Sequence, residues 1–217
     1  MYKSFFKRFF DFLFAVIILI VSSPILLILA IAIKLDSKGP VIFKQVRVGK
    51  DGRVYDMYKF RSMCVGAEQQ EGGVFCKKGD ARVTKVGAFI RATSLDELPQ
   101  LVNILKGEMS FIGPRPVLTY YPKEWSEYTK EELKRFDALP GITGWAAVHG
   151  RKTNTIEARF AYDNYYVDNL SLWLDIKIIF MTIKSVLTNE GNEDDGSSEV
   201  ASVENQPKQD TEETVNK

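Results

Sequence analysis

The run Phe12-Leu-Phe-Ala-Val-Ile-Ile-Leu-Ile-Val-Ser-Ser-Pro-Ile-Leu-Leu-Ile-Leu-Ala-Ile-Ala-Ile33 holds 22 residues without a charge. At ~1.5 Å per helical residue it reaches across a hydrocarbon core of ~30 Å. It is long for the apolar part of a signal peptide. The run therefore reads as membrane-embedded. Its centre, Ser22-Ser23-Pro24, carries a proline that deletes a backbone donor and kinks helices, beside hydroxyls able to satisfy a freed carbonyl. Lys3, Lys7 and Arg8 precede the run and Lys34, Lys38, Lys44 and Arg47 follow it. The positive-inside rule is thus met with both ends on the cytoplasmic side, as a re-entrant helix broken at Ser23-Pro24. An ordinary kinked span fits the composition equally well.

Outward from this segment, 217 residues at 45% hydrophobic composition suffice for a real core with appendages. Residues 189–217 carry nine Asp or Glu against two Lys and almost no large apolar side chains, the composition of a disordered acidic tail. With a tail at −7 and a whole chain at +1, residues 1–188 stand at +8. A basic body suits an anionic membrane surface and phosphate-bearing ligands. Nucleic acid is excluded as a partner, because no recognition motif accompanies the charge and the membrane run opposes it. Cys64 and Cys76 have no second pair and no nearby His, which removes zinc and leaves two reduced thiols.

Between the appendages the fold class is α+β, mostly helical. Val41 to Lys50, then Asp51-Gly52, then Val54 to Phe60 read as a β-hairpin. Thr129-Lys-Glu-Glu132 is a capping-box signature opening a short helix that Pro140-Gly141 closes. Ser171 to Leu187 reads as an amphipathic helix, with Trp173, Ile176, Ile179, Phe180 and Ile183 opposed to Asp175, Lys177, Lys184 and Ser185. It suits packing on the core or lying in a membrane interface.

The segment Thr93-Ser-Leu-Asp-Glu-Leu-Pro-Gln100 sets adjacent carboxylates, Asp96 and Glu97, at the mouth of a helix marked by Leu98, Leu101, Val102 and Leu105 and stopped by Gly107. Ser94 is the expected N-cap with Glu97 as its capping-box partner, although Pro99 moves the start forward by a residue or two. In the first turn the helix dipole favours ionised carboxylates, suited to a nucleophile or a metal ligand. Capping alone also explains Asp and Glu in a first turn. Lys59, Arg61, Arg82, Arg91 and the proline-flanked Arg115 are the candidate phosphate-binding residues, since guanidinium groups grip phosphate oxygens in pairs. His149 is expected to be structural or to touch substrate, with acid-base work the lesser alternative.

These residues resemble a family. Ser23-Pro24, Lys44-Gln-Val-Arg-Val-Gly49, Tyr58-Lys-Phe-Arg-Ser-Met63, Ser94-Leu-Asp-Glu-Leu-Pro-Gln100, Gly113-Pro-Arg-Pro116, Pro140-Gly-Ile-Thr-Gly-Trp145 and Ser171-Leu-Trp-Leu-Asp175 are similar, in family order, to the small monotopic bacterial phosphoglycosyl transferases. The resemblance covers about residues 1–188 and departs from the family pattern at Ala147 and His149.

It implies a re-entrant membrane helix over residues 1–36, a compact cytosolic catalytic domain over 37–188 with amphipathic interfacial helices, and the tail over 189–217. It implies transfer of a sugar 1-phosphate from a UDP-sugar to polyprenyl phosphate, releasing UMP, at the cytosolic face of the bacterial inner membrane. This is a first membrane step of surface glycan biosynthesis. Asp96 would be the covalent nucleophile, Asp96 and Glu97 would hold magnesium (Mg2+), and Arg91 and Arg115 would neutralise phosphate. Membrane lipid is the implied surface, and a homo-oligomer is compatible with it. A glycosyltransferase releasing UDP, or a non-catalytic scaffold of a glycan pathway, are the alternatives.

Overall fold

The computed structural model describes residues 2–70, 72–74, 76–77, 79–149 and 155–188; the expected acidic tail lies outside them. The apolar run forms most of helix α1 (Lys7–Asp36), about 45 Å long at 1.5 Å per residue. By length and composition α1 is able to cross a membrane. The expected interruption at Ser23-Pro24 does not appear as a break, because the helix continues through Pro24. The reason is local. Pro24 has no N–H for the Ile20 carbonyl, and Ser23 Oγ donates to that oxygen instead at 2.8 Å. Ser22 Oγ donates likewise to Ile18 O at 2.6 Å.

The hairpin forms as the sequence suggests, with β1 (Ile42–Val48) antiparallel to β2 (Val54–Phe60) and Ile42 opposite Phe60. Alternation along β2 buries Tyr55 and Met57 on one face, while Phe60 at the strand end is buried from the other, in a separate core cluster. Helix α2 (Lys85–Ala92) is capped by Thr84, whose side chain accepts from Gly87 N. Helix α3 (Gln100–Lys106) ends at Gly107, where φ of 87° gives the left-handed stop for which glycine is suited.

Strand β3 (Ser110–Ile112) pairs in parallel with β4 (Gly141–Thr143). Between them the Thr129 capping box forms and opens α4 (Lys130–Leu133). Helices α5 (Trp145–His149), α6 (Ile156–Asn169) and α7 (Leu172–Leu187) complete the described residues.

Helix α1 is part of the interior. Ala15 packs with Tyr55, Met57, Leu101, Ile104 and Met109, while Leu29 and Ile33 pack with Phe60 and Ile90. Polar contacts pin both ends. Arg8 donates to Ile104 O at 2.6 Å and Asp11 Oδ1 accepts from Phe111 N at 3.2 Å. Twenty-five residues later Asp36 Oδ2 accepts from Val86 N at 2.9 Å, opening α2.

Helix α7 departs from the usual orientation. Asp175, expected on the outer polar face, is buried and accepts from Tyr166 Oη at 2.8 Å, Lys7 Nζ at 2.9 Å and Tyr2 Oη at 2.6 Å. Trp173 at 81%, Phe180 at 69% and Val186 at 64% stand exposed instead. Ile178 alone of the central apolar residues is sealed in the core, so the larger apolar face points outward.

Candidate active site

The chain between α2 and α3 decides where the two carboxylates sit. Ser94 adopts φ of 56°, left-handed for a non-glycine residue, and makes no side-chain cap. The expected Ser94–Glu97 capping box is therefore absent. Leu95–Glu97 forms a separate 3-10 turn, and α3 starts at Gln100 with Pro99 at its N-cap. Pro99 supplies no N–H to an earlier carbonyl, which places the helix start beyond the acidic pair.

The carboxylates consequently differ in environment. Asp96 is buried and Glu97 half-exposed, with Glu97 Oε1 accepting from Lys59 Nζ of β2 at 2.8 Å. Burial pushes the Asp96 carboxyl above its ordinary value. Lys59 pulls it back, Glu97 adds to the rise, and Arg91 opposes it. The anticipated stabilisation of charge by a helix dipole is replaced by desolvation opposed by a neighbouring ammonium. Such a carboxylate holds few waters and is aimed by its turn.

Asp96 and Glu97 line a cavity of about 1770 Å3. Lys59, Arg61, Arg91 and Arg115 line it too, so six of the sequence candidates converge on one space. Arg91 Nη1 reaches Ser62 Oγ at 3.5 Å, and Arg115 is exposed. The space is an open groove larger than ordinary small-ligand pockets.

Two of the expected phosphate ligands have other employment. Arg61 borders the cavity, yet its guanidinium is buried and donates to Pro40 O at 2.6 Å, Lys38 O at 2.8 Å, Ser37 O at 2.9 Å and Ile33 O at 3.5 Å. It fastens the loop that leaves α1, from Ser37 to Pro40, to the end of the helix. Arg82 is buried against Asp80, with Nη2 to Oδ2 at 2.6 Å, and also donates to Ala67 O and Gly73 O at 2.8 Å. It ties together the loop before α2.

His149 Nδ1 lies 3.0 Å from Trp145 O, and its ring packs 3.9 Å from the Trp145 ring, away from the cavity lining. That is a structural setting.

Among the described residues no group of three or more His, Cys, Asp or Glu gathers as a metal cage. Magnesium is often held by one or two carboxylates together with substrate phosphates, so the pair Asp96 and Glu97 fits an ion bridged to a bound diphosphate. The Glu97 carboxylate would then be shared between such an ion and the Lys59 ammonium.

A family model described as bacterial sugar transferase matches residues 2–189, nearly the whole of the described chain. The chain belongs to the bacterial sugar transferase family. Among curated members, it is 47% identical over 191 residues to the UDP-N-acetylgalactosamine-undecaprenyl-phosphate N-acetylgalactosaminephosphotransferase of Aeromonas hydrophila. That match covers 87% of this chain and 45% of the relative. It is 46% identical over 183 residues to the UDP-glucose:undecaprenyl-phosphate glucose-1-phosphate transferase of Klebsiella pneumoniae, covering 82% and 39% respectively. The chain thus spans less than half the length of these two relatives. It matches the uncharacterized sugar transferase EpsL of Bacillus subtilis at 42% identity over 186 residues, covering 85% of this chain and 89% of EpsL.

In this family member, sequence reasoning missed three cavity residues, Arg47, Arg135 and Asp163. Arg47 was within reach of a period-two reading, since Gln45 and Arg47 share one face of β1 and Arg47 Nε donates to Gln45 Oε1 at 3.1 Å. Burial and the neighbouring Arg115 charge push the Arg47 guanidinium down to about 10. Arg135 and Asp163 form an ion pair between residues 28 apart in the chain, for which no local pattern exists.

Proposed function

We propose that this bacterial sugar transferase moves a sugar 1-phosphate from a UDP-sugar to polyprenyl phosphate, giving polyprenyl diphosphate sugar and UMP. The observation that carries the reading is the buried Asp96 carboxylate, facing a basic cavity beside the Lys59–Glu97 ion pair. The names of the two characterised relatives supply the substrate classes, undecaprenyl phosphate with a UDP-linked sugar.

The chemistry follows from charge. An Asp96 oxygen attacks the phosphorus that bears the sugar, the diphosphate bond breaks, and UMP leaves with the electron pair. The phosphosugar is then held on Asp96 as an acyl phosphate. A polyprenyl phosphate oxygen attacks the same phosphorus, and Asp96 departs as a carboxylate. Each attack brings two anions together, so Lys59, Arg91 and Arg115 neutralise the phosphate oxygens. Asp96 and Glu97 are the residues that would hold magnesium, which when bound contributes further positive charge to the phosphates.

The membrane arrangement in this reading is monotopic, on the cytosolic face of the bacterial inner membrane. Residues 1–36 are the membrane-embedded part and residues 37–188 the catalytic body. Support comes from the tethering of both α1 ends to the same body, at Ile104 and Phe111 and again at Val86. A straight crossing would carry one end about 30 Å away. The outward apolar face of α7 supplies a second surface for the lipid boundary. In a bilayer, the Ser23-Pro24 step is where α1 would bend to re-enter.

Purified full-length protein, mixed with magnesium, undecaprenyl phosphate and a panel of UDP-sugars, is expected to release UMP, and Asp96→Asn is expected to abolish that release. Release of UDP would overturn the reading in favour of plain glycosyl transfer.

A further inference from the structure

The turn that carries Arg115 is held with unusual completeness. Pro114 O accepts from Gly141 N at 2.9 Å, Arg115 O from Arg135 Nη2 at 2.7 Å, Pro116 O from Arg47 Nη1 at 3.1 Å, and Val117 O from Val48 N at 2.9 Å. Four consecutive carbonyls are thereby fixed by four different residues. Gly113 sits so close to the chain before β4 that a β-carbon there would lie 2.1 Å from Leu139 O. With Pro114 and Pro116 restricting φ as well, the backbone around Arg115 has little freedom left.

Arg135 is the costly member of this clamp. It is 2% exposed and its partner Asp163 1% exposed. Arg135 Nε and Nη2 both donate to Asp163 Oδ2, and the guanidinium lies 4.4 Å from the centre of the Phe160 ring. Arg135 Nη1 and Asp163 Oδ1 are nevertheless buried without hydrogen-bond partners among the described residues. Apolar replacement of a buried ion pair is often neutral or stabilising, so stability alone is a poor reason for this arrangement. What the pair achieves is a rigid donor, held by a second charge, directed at the carbonyl of the one residue on the turn whose side chain is free to enter the cavity.

We infer that Arg135, oriented by Asp163, is a positioning residue that fixes the Arg115 main chain and thereby aims the Arg115 guanidinium at substrate phosphate. This rests on the phosphate-binding role proposed above for Arg115. Arg135 borders the cavity as well, so a positioning role requires that its effect pass through Arg115, and that dependence separates positioning from direct contact or general structural support.

The test is a double-mutant cycle on the full chain in nanodiscs, with kcat and KM for UMP release and, in parallel, calorimetric binding of UDP. Arg135→Lys, which keeps the charge opposite Asp163 but loses the fork that reaches Arg115 O, is expected to lower kcat/KM on the order of a hundredfold. In an Arg115→Ala background the same change is expected to cost less than about twofold, since the group it aims is already gone. Equal losses in both backgrounds would overturn the inference. If Arg135→Lys does not fold, the paired change Arg135→Met with Asp163→Leu leaves no orphaned charge and goes through the same cycle. UDP binding must show the same dependence on Arg115, and binding losses independent of Arg115 also count against the inference. A wild type that binds UDP in this pattern yet releases no UMP would defeat the phosphosugar-transfer reading while leaving the positioning role standing.

Discussion

Lys59 serves both carboxylates by different means. Its Nζ donates to Glu97 Oε1 at 2.8 Å, and its charge acts across space on the buried Asp96, whose carboxyl it pulls back toward the ordinary range. Replacing Lys59 by Gln removes the largest influence opposing the burial of Asp96, so the Asp96 carboxyl rises further. The acid limb of the pH–rate profile for UMP release is expected to move to higher pH. At neutral pH kcat is expected to fall on the order of a hundredfold, the scale of losing one electrostatic contact in a site of developing charge. An unmoved acid limb would sever Lys59 from Asp96.

Asp96 is also expected to be a liability for stability. Its folded-state value lies above the unfolded one, so the folded chain binds the proton more tightly. Stability is therefore highest below the ordinary Asp value of about 3.9 and declines as pH rises through the raised folded value. At neutral pH Asp96→Asn is expected to raise stability by about 0.5–2 kcal/mol while eliminating turnover, with the gain vanishing in acid. Thermal melts at neutral and acid pH check the sign.

Arg61 is expected to matter for folding and little for substrate. Removing its guanidinium with Arg61→Met leaves three carbonyls of the loop after α1 without their donor, a loss of about 3 kcal/mol. Denaturant melts should record that loss, and KM for the UDP-sugar in the folded fraction should stay within about twofold. A large KM rise at unchanged stability would restore the phosphate-binding role first assigned to Arg61.

The outward face of α7 predicts a membrane phenotype. Trp173→Glu with Phe180→Glu puts two carboxylates where apolar side chains stand exposed, and partitioning onto anionic vesicles is expected to weaken about tenfold with the melt unchanged. Vesicle flotation measures it. Unchanged partitioning would leave α1 as the sole membrane-binding element.

Features resting on local pattern were legible in the sequence. The β1–β2 hairpin, the Gly107 stop, the Thr129 box and the helix running to Leu187 depend on residues within a few positions of one another, and all form. Ser94 misled because Pro99 and a left-handed backbone outrank a capping signature. Arg61 and Arg82 misled for a different reason. A guanidinium suited to phosphate is equally suited to carbonyls and carboxylates of its own chain, and only the tertiary contacts distinguish the two uses. Asp175 shows the limit of helical amphipathicity, which separates apolar from polar positions without stating which side meets the interior. Six site candidates come from the end of β2, from α2, from the acidic turn and from the proline-flanked turn, and their convergence on one cavity is a product of packing.

Ala15, Leu29 and Ile33 interdigitate with side chains from β2, α2 and α3, so the greasy N-terminus doubles as scaffolding. Trimming it to obtain a water-soluble fragment would uncover Met57, Ile104 and Met109 at one place and Phe60 and Ile90 at another, two raw apolar wounds on either side of the acidic turn. Biogenesis inherits the same constraint. A segment able to enter a bilayer must also be left reachable for the rest of the chain to fold against.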